Sequence, residues 1–316
     1  MKRRSASRFP LVGVIIAAAL IAAVVLFLER RVPAPDRPPL PGERSRESRT
    51  GTAERTVPPP RTKAVEQEKA VTKPQPTESM GRPIAVIIDD IGYDLDVVKQ
   101  LAQIEAPLAF AVLPYTPHAA EAARRLHAAG KEILLHLPME PRSYPAENPG
   151  PGALMTDMDD DAIRSRLAEA LAAVPHAIGV NNHMGSRFME DEARLKVVME
   201  ELSKRGLFFV DSRTTSASRG REAAAGAGVP FAARTVFIDH NRGYEAALAN
   251  LVEPTGGRKG RPVLMIGHPH PETVRALRKF AALRREGKAT VIPPSAYLKM
   301  QGAGEKQYAT GRKTMR

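Results

Sequence analysis

Ile84-Ala85-Val86-Ile87-Ile88-Asp89-Asp90-Ile91-Gly92-Tyr93-Asp94 is the stretch on which the reading of this chain turns. Five apolar residues, four of them branched aliphatics, run unbroken, the pattern of a strand buried on both faces in a parallel sheet. Asp89 and Asp90 then interrupt it. Side chains on a regular strand alternate between faces, so adjacent carboxylates reach one pocket only if the chain turns there. Gly92 permits that turn. Two unpaired charges beside a buried strand are costly, which points to a cation or metal between them. The duller reading makes Asp90 or Asp94 the N-cap of the following helix.

Outward from this stretch, strand and helix signals alternate to the end of the folded part. Helices are expected over Asp94–Ile104, Pro117–Ala129, Asp159–Val174, Glu190–Lys204, Ser216–Gly228, Tyr244–Val252 and Pro271–Arg284. Further strands are expected at 107–114, 131–138, 177–182, 207–210, 235–238, 262–267 and, shorter, 289–292. Pro141 to Thr156 is a long loop rich in proline and glycine, a length often reserved for function. The alternation implies an α/β fold with a parallel sheet: a distorted (β/α) barrel of seven or eight strands in a single domain, with an open doubly wound sheet as the competing arrangement. Nearly every strand ends in a residue able to bind a ligand: Asp89/Asp90, His136, His183, Asp211, Asp239/His240 and His268. The carboxyl ends of parallel strands share one face, so these residues are expected to converge.

The flanks read differently. The net charge of +12 lies in the ends of the chain: residues 1–83 hold 16 Lys+Arg against 8 Asp+Glu, and 301–316 hold four against one, which leaves 84–300 with 27 against 26. A neutral folded part argues against a nucleic-acid partner. Lys2, Arg3, Arg4 and Arg8 precede an uncharged run of 18 residues, Leu11 to Leu28. As a helix that run spans about 27 Å, near the hydrocarbon thickness of a bilayer. Residues 1–31 therefore read as a single-pass anchor in the inner (cytoplasmic) membrane, with the domain on the outer or periplasmic side; a cleaved signal peptide competes. Residues 32–82, rich in Pro and Arg, read as a disordered tether, 83–300 as the folded domain and 301–316 as a polar tail. The chain has no cysteine, which removes disulfides and thiolate ligands from consideration.

Carboxylates and imidazoles at strand ends suit a divalent metal, with Zn²⁺ the natural candidate. Asp90, His136 and His183 can supply ligands from three strands. Asp89 is placed to take a proton from water and His268 to protonate a leaving group, a set suited to metal-assisted hydrolysis of an amide or ester. No Gly-x-Ser-x-Gly elbow and no P-loop occurs in the sequence. His136 alone also reads as a core histidine bonded to a carbonyl, and Asp211 as a partner of Arg213 or Arg187. Tyr93 and Tyr115 are candidates for the wall of a sugar groove.

Ile88-Asp89-Asp90-Ile91-Gly92, Gly130-Lys131-Glu132-Ile133-Leu134-Leu135-His136-Leu137-Pro138-Met139-Glu140, Gly179-Val180-Asn181-Asn182-His183-Met184-Gly185-Ser186 and Phe209-Val210-Asp211-Ser212 together resemble the divergent polysaccharide deacetylase family. The resemblance spans about Pro83 to Leu298. It implies a distorted (β/α) barrel that removes acetyl groups from N-acetylated glycans, with peptidoglycan a candidate, using a divalent metal. It also implies that the first acid of the doublet, Asp89, is the base and the second, Asp90, a metal ligand, and that His268 is the late-strand acid. Such enzymes carry two histidine ligands four residues apart on the third strand. Here the first is His136 and the second position holds Glu140, so either Glu140 coordinates or His183 takes its place; His183 is preferred. Asn182, Arg187 and Asp211 are assigned to the substrate. Ser212 stands where the family usually has an aromatic residue. The alternative reading is a catalytically inactive glycan- or partner-binding envelope protein on the same fold. A metal-dependent phosphohydrolase is a third and lacks a phosphate cradle.

Overall fold

The computed structural model describes residues 82–256 and 261–301. The expected anchor, nearly all of the tether and nearly all of the polar tail lie outside the described residues. No described helix is long and apolar enough to cross a membrane.

The elements in chain order are β1 (Pro83–Ile91), α1 (Leu95–Ala102), β2 (Ala109–Val112), α2 (Ala119–Ala128), β3 (Glu132–Met139), α3 (Asp160–Ala173), β4 (Ala177–Met184), α4 (Glu192–Lys204), β5 (Phe208–Asp211), α5 (Gly220–Ala227), β6 (Phe231–Ala233), β7 (Val236–Phe237), α6 (Tyr244–Val252), β8 (Val263–Gly267), α7 (Pro271–Arg285) and β9 (Thr290–Val291). All nine strands form one sheet in the order β6-β5-β4-β3-β2-β1-β8-β7, with β9 paired to the start of β1. Every ladder is parallel. No ladder joins β6 to β7 among the described residues, so the distorted (β/α) barrel expected from the alternation is an open, curled half-barrel. The additional strand is β6. It follows Pro230 and carries one large apolar residue, Phe231, too short a signal to be read as a strand.

The two faces of the sheet bury different sets. Ile84, Val86 and Ile88 pack outward against the helices, in the larger core. Ala85, Ile87, Ala109, Ala111, Leu134, Val210, Leu264 and Ile266 point to the concave side. Tyr297 and Leu298, from the helical segment 294–301, join that inner layer and are almost fully buried. The alternation along each strand continues past this layer. Asp89 follows Ala85 and Ile87, His136 follows Leu134, and His268 follows Leu264 and Ile266 at intervals of two. The apolar inner columns therefore lead to polar residues at the carboxyl ends.

The acid doublet departs from simple alternation in a way the sequence reading placed differently. The strand does not stop before the acids; β1 runs on to Ile91. Its register with β2 slips between Ile88 and Ile91, and Asp90 sits at φ 56°. This bulge in the left-handed region turns Asp90 to the side that Asp89 already faces. Gly92 follows at φ +128°, and a Cβ there would lie 2.0 Å from Thr116 Oγ1. The helix-cap alternative falls to Asp94 alone: its Oδ1 accepts from the Asp96 and Val97 amides at 2.7 and 3.2 Å. Asp90 is left for the site.

Candidate metal centre

Three strands bring three ligand-type atoms together. Asp90 Oδ1 lies 3.2 Å from His136 Nε2 and 3.0 Å from His183 Nδ1, and the two imidazole nitrogens are 3.1 Å apart. His136 is buried on β3, and its register partner across the ladder is Asn181 on β4. Asn181 Oδ1 stands 2.8 Å from His136 Nδ1 and accepts the ring N–H there. That assignment leaves the Nε2 lone pair aimed at Asp90 and His183. Asp90 Oδ1 is itself buried, with no hydrogen bond of acceptable geometry. Three lone-pair atoms about 3 Å apart, one of them an orphaned carboxylate oxygen, are poorly satisfied by one another and well satisfied by a cation at their centre. The residues thus fit a divalent metal, and their donor atoms form one of two such groups among the described residues.

The electrostatics agree. Burial pushes Asp90 up, but the adjacent imidazoles of His136 and His183 outweigh it and hold its pKa well below the usual carboxylate range. Burial works to lower His136, yet Asp89 and Asp90 raise it to about 9. The field that would favour an imidazolium in this position also favours a bound cation. Asp89 is 2 % exposed; burial raises its pKa, partly offset by His136, His268 and the Asn181 hydrogen bond. Its Oδ2 lies 3.7 Å from His136 Nε2 and its Oδ1 accepts from Asn181 Nδ2 at 2.7 Å.

His268 closes the site from β8. Its Nε2 is 3.8 Å from Asp90 Oδ2, and its Nδ1 is 3.1 Å from Asp239 Oδ1. Asp239 Oδ2 accepts from the His268 amide at 2.6 Å and from Thr273 Oγ1 at 2.9 Å. Burial alone would lower His268, but Asp239, Asp89 and Asp90 raise it. Asp239 is lowered in turn, because His268 and Thr273 outweigh its burial. The second group of ligand-type atoms is Asp239, His268 and His270. Both Asp239 oxygens are already engaged there and His270 is exposed, so this trio reads as a carboxylate orienting an imidazole.

The remaining sequence candidates are placed elsewhere. Glu140 is 4 % exposed and faces away from the trio: its Oε2 accepts from the Thr156 amide and hydroxyl at 2.6 and 2.7 Å, its Oε1 from Arg187 at 2.8 Å. Glu140 and Arg187 therefore pin the long 141–156 loop and the segment after β4. Asn182 ties β4 to β5, with Oδ1 accepting from the Ser212 amide at 2.9 Å and Nδ2 donating to Met184 O at 2.8 Å. Asp211 accepts from the Arg213 amide at 2.6 Å and from Ser218 Oγ at 2.7 Å. Asn182, Arg187 and Asp211 thus each bond to the fold, while Asn182 also lines the cleft beside His136 and His183 and the Arg187 side chain stays largely exposed. Sequence reasoning missed Asn181, which joins His136 to Asp89, and the partnership of Asp239 with His268. Asn181 carried a signal: it lies two residues before His183, hence on the same face of β4.

Residues 86–298 match the family model described as divergent polysaccharide deacetylase. The chain belongs to that family. In this chain, 199 residues are 36 % identical to the uncharacterized protein YibQ of Escherichia coli K12, covering 62 % of this chain and 61 % of that protein. A second uncharacterized relative, from Haemophilus influenzae, is 32 % identical over 201 residues, 61 % of this chain and 69 % of its own. The match with YibQ thus leaves more than a third of that protein's length uncovered. The fold is shared with the crystal structure of the uncharacterized protein ATU2773 from Agrobacterium tumefaciens C58, at a TM-score of 0.64 and 24 % identity over 68 % of this chain and 89 % of that one.

Proposed function

We propose that this member of the divergent polysaccharide deacetylase family is a metal-dependent hydrolase that removes acetyl groups from N-acetylated glycans at the cell envelope. The observation that carries the reading is the cluster of Asp90 Oδ1, His136 Nε2 and His183 Nδ1 about 3 Å apart, with Asp89 and His268 on either side of it. A divalent ion held by that trio, Zn²⁺ being the natural candidate, would polarise an acyl carbonyl and acidify water. Asp89, buried beside the trio, takes the proton of the attacking water. Its raised pKa makes it a stronger base than an exposed carboxylate. His268 delivers a proton from Nε2 to the leaving amine, and Asp239 fixes the imidazole by holding Nδ1–H. Asn181 holds His136 in the tautomer that presents Nε2 and keeps Asp89 in place.

The walls of the site suit an extended polymer. Three clefts meet at it. One of about 110 Å³ runs beneath Tyr115 and Pro149–Pro151, one of about 330 Å³ past Tyr93 and His268, and one of about 490 Å³ toward Arg213 and Arg234. Tyr93 and Tyr115 are exposed at these mouths, and flat aromatic faces stack against sugar rings. The envelope location rests on the sequence of residues 1–82, a basic flank, an apolar run and a proline-rich tether.

The test is acetate release from a panel of N-acetylated oligosaccharides by the zinc-loaded protein. Asp90→Ala is expected to lose both bound metal and activity, whereas Asp89→Asn keeps the metal and loses activity. Normal turnover in both variants would sink the mechanism. A metal-free wild-type protein that retains glycan without releasing acetate would favour the binding-module reading.

A further inference from the structure

We infer that the glycan taken by this site carries an anionic group, a carboxylate, on the acylated sugar or its immediate neighbour, received by Arg213 and Arg234. The inference rests on the deacetylase reading of the same site and names its substrate class.

The largest cleft at the site, about 490 Å³, is lined on one side by Asp89, His136 and His183 and on the other by Arg213, Arg234 and Phe237. Neither guanidinium has a carboxylate within ion-pair distance among the described residues. By contrast, Arg187 pairs with Glu140 at 2.8 Å and Arg142 with Glu190 at 2.6 Å. The only acid lining the cleft is Asp89, whose charge is answered within the site by Asn181 and His136. The cationic wall is therefore answered only at longer range, by Asp211 and Asp89 acting on Arg234.

The wall is also built in place. Arg234 donates from Nε to Ser212 O at 2.8 Å and from a terminal nitrogen to Arg213 O at 3.3 Å, and its Cζ lies 4.7 Å from the centre of the Phe237 ring. The same Phe237 ring packs edge-on against His268, 5.3 Å between centroids. One ring thus contacts both the guanidinium and the proton-donating imidazole, which would bring an anion held by Arg234 close to the reacting amide. Arg213 is held at φ 54°, a left-handed conformation unusual for a long side chain, with Asp211 capping its amide at 2.6 Å. Backbone conformations of this kind cluster at ligand sites. Burial foremost, then the Arg213 charge, lower the pKa of Arg234 against the opposing pull of Asp211 and Asp89, so an arriving anion relieves repulsion between the two cations. A planar guanidinium fork matches carboxylate geometry, and a neutral sugar would leave both forks unanswered.

The experiment compares the disaccharide of N-acetylglucosamine and N-acetylmuramic acid with the same disaccharide methylated at its carboxyl, using zinc-loaded full-length protein and Arg213→Gln/Arg234→Gln. Acetate release and dissociation constants are both measured. The free acid is expected to be favoured over the ester by about 10- to 100-fold in kcat/KM, the range for one or two charge-assisted hydrogen bonds. The double variant is expected to lose that preference, read as the ratio of acid to ester within each protein. Equal kcat/KM for acid and ester, or a preference that survives in the variant, overturns the inference and leaves deacetylation standing. If neither probe releases acetate, the dissociation constants decide. Tighter binding of the acid that is lost in the variant upholds the anion site and removes the deacetylase reading; equal binding overturns the anion site. Arg213→Gln alone serves if the double variant fails to fold, because the Arg213 side chain makes no hydrogen bond or ion pair within the described fold.

Discussion

Asn181 offers the sharpest perturbation of the site, because it touches both halves of the chemistry while facing neither substrate nor metal. Its side chain is fully buried, with Oδ1 2.8 Å from His136 Nδ1 and Nδ2 2.7 Å from Asp89 Oδ1. Asn181→Leu fills the same space and removes both bonds. His136 is left with a buried, unpaired N–H, a penalty of about 1–3 kcal/mol. If that penalty falls on the metal-competent tautomer, zinc affinity drops by roughly 5- to 150-fold, since about 1.4 kcal/mol is a factor of ten. Asp89 also loses a donor to its charged form. That hydrogen bond lowers the Asp89 pKa, so its removal raises it, and the acid limb of the pH–rate profile moves to higher pH. Asn181→Asp separates the two effects. Its carboxylate still accepts from His136, so zinc affinity stays within about tenfold of wild type on the second-shell scale. Its charge faces Asp89, so the acid limb moves further up than in the leucine variant. Chelator competition gives the affinity and acetate release against pH gives the limb. If both variants bind zinc as wild type does, with an unmoved acid limb, the assigned coupling of His136 to Asp89 is wrong.

Other outcomes follow from the same geometry. Asp239→Asn removes the carboxylate that raises His268. His268 acts protonated, so the basic limb of the pH–rate profile moves to lower pH and kcat falls on the order of 10- to 100-fold, while zinc content in elemental analysis is unchanged. Glu140→Gln leaves the Thr156 donors facing an amide and destabilises the domain by about 1–3 kcal/mol. The thermal midpoint falls by roughly 2–4 °C for each of those kcal/mol, yet one zinc per chain remains; loss of the metal would restore Glu140 as a ligand. Gly92→Ala sets a Cβ against Thr116 at positive φ next to the Asp90 bulge, so zinc affinity is expected to drop about tenfold or more while far-ultraviolet circular dichroism stays unchanged.

Much of the fold was legible because the strands that form it are buried on both faces. Ile84–Ile88 and Val263–Gly267 carry unbroken apolar runs, and their partners are offset by regular helices. The polar strand ends marked the face of the site for the same reason. β6 escaped because three residues after a proline hold no pattern, and its place at the sheet edge is set by pairing with β5. Within the site, the residues whose backbone does something irregular were the hard ones. No alternation rule foretells that Asp90 at φ 56° joins Asp89 on one side. Asn181 and Asn182 differ only in phase: the first shares its face with His183, and the second ties two strands. Glu140 lies four residues past His136, but the chain beyond Met139 turns to bond Leu154 and carries the carboxylate to Thr156. Asp239 and His268 are far apart in sequence, and no spacing links them.

Anomalous diffraction at the zinc edge from crystals of the zinc-loaded protein tests the site most directly. One strong peak bonded to Asp90, His136 and His183 is expected, absent in His136→Ala crystals of the same form. A peak at Glu140 or at Asp239 and His270, or no peak beside Asp90 at saturating zinc, would contradict it.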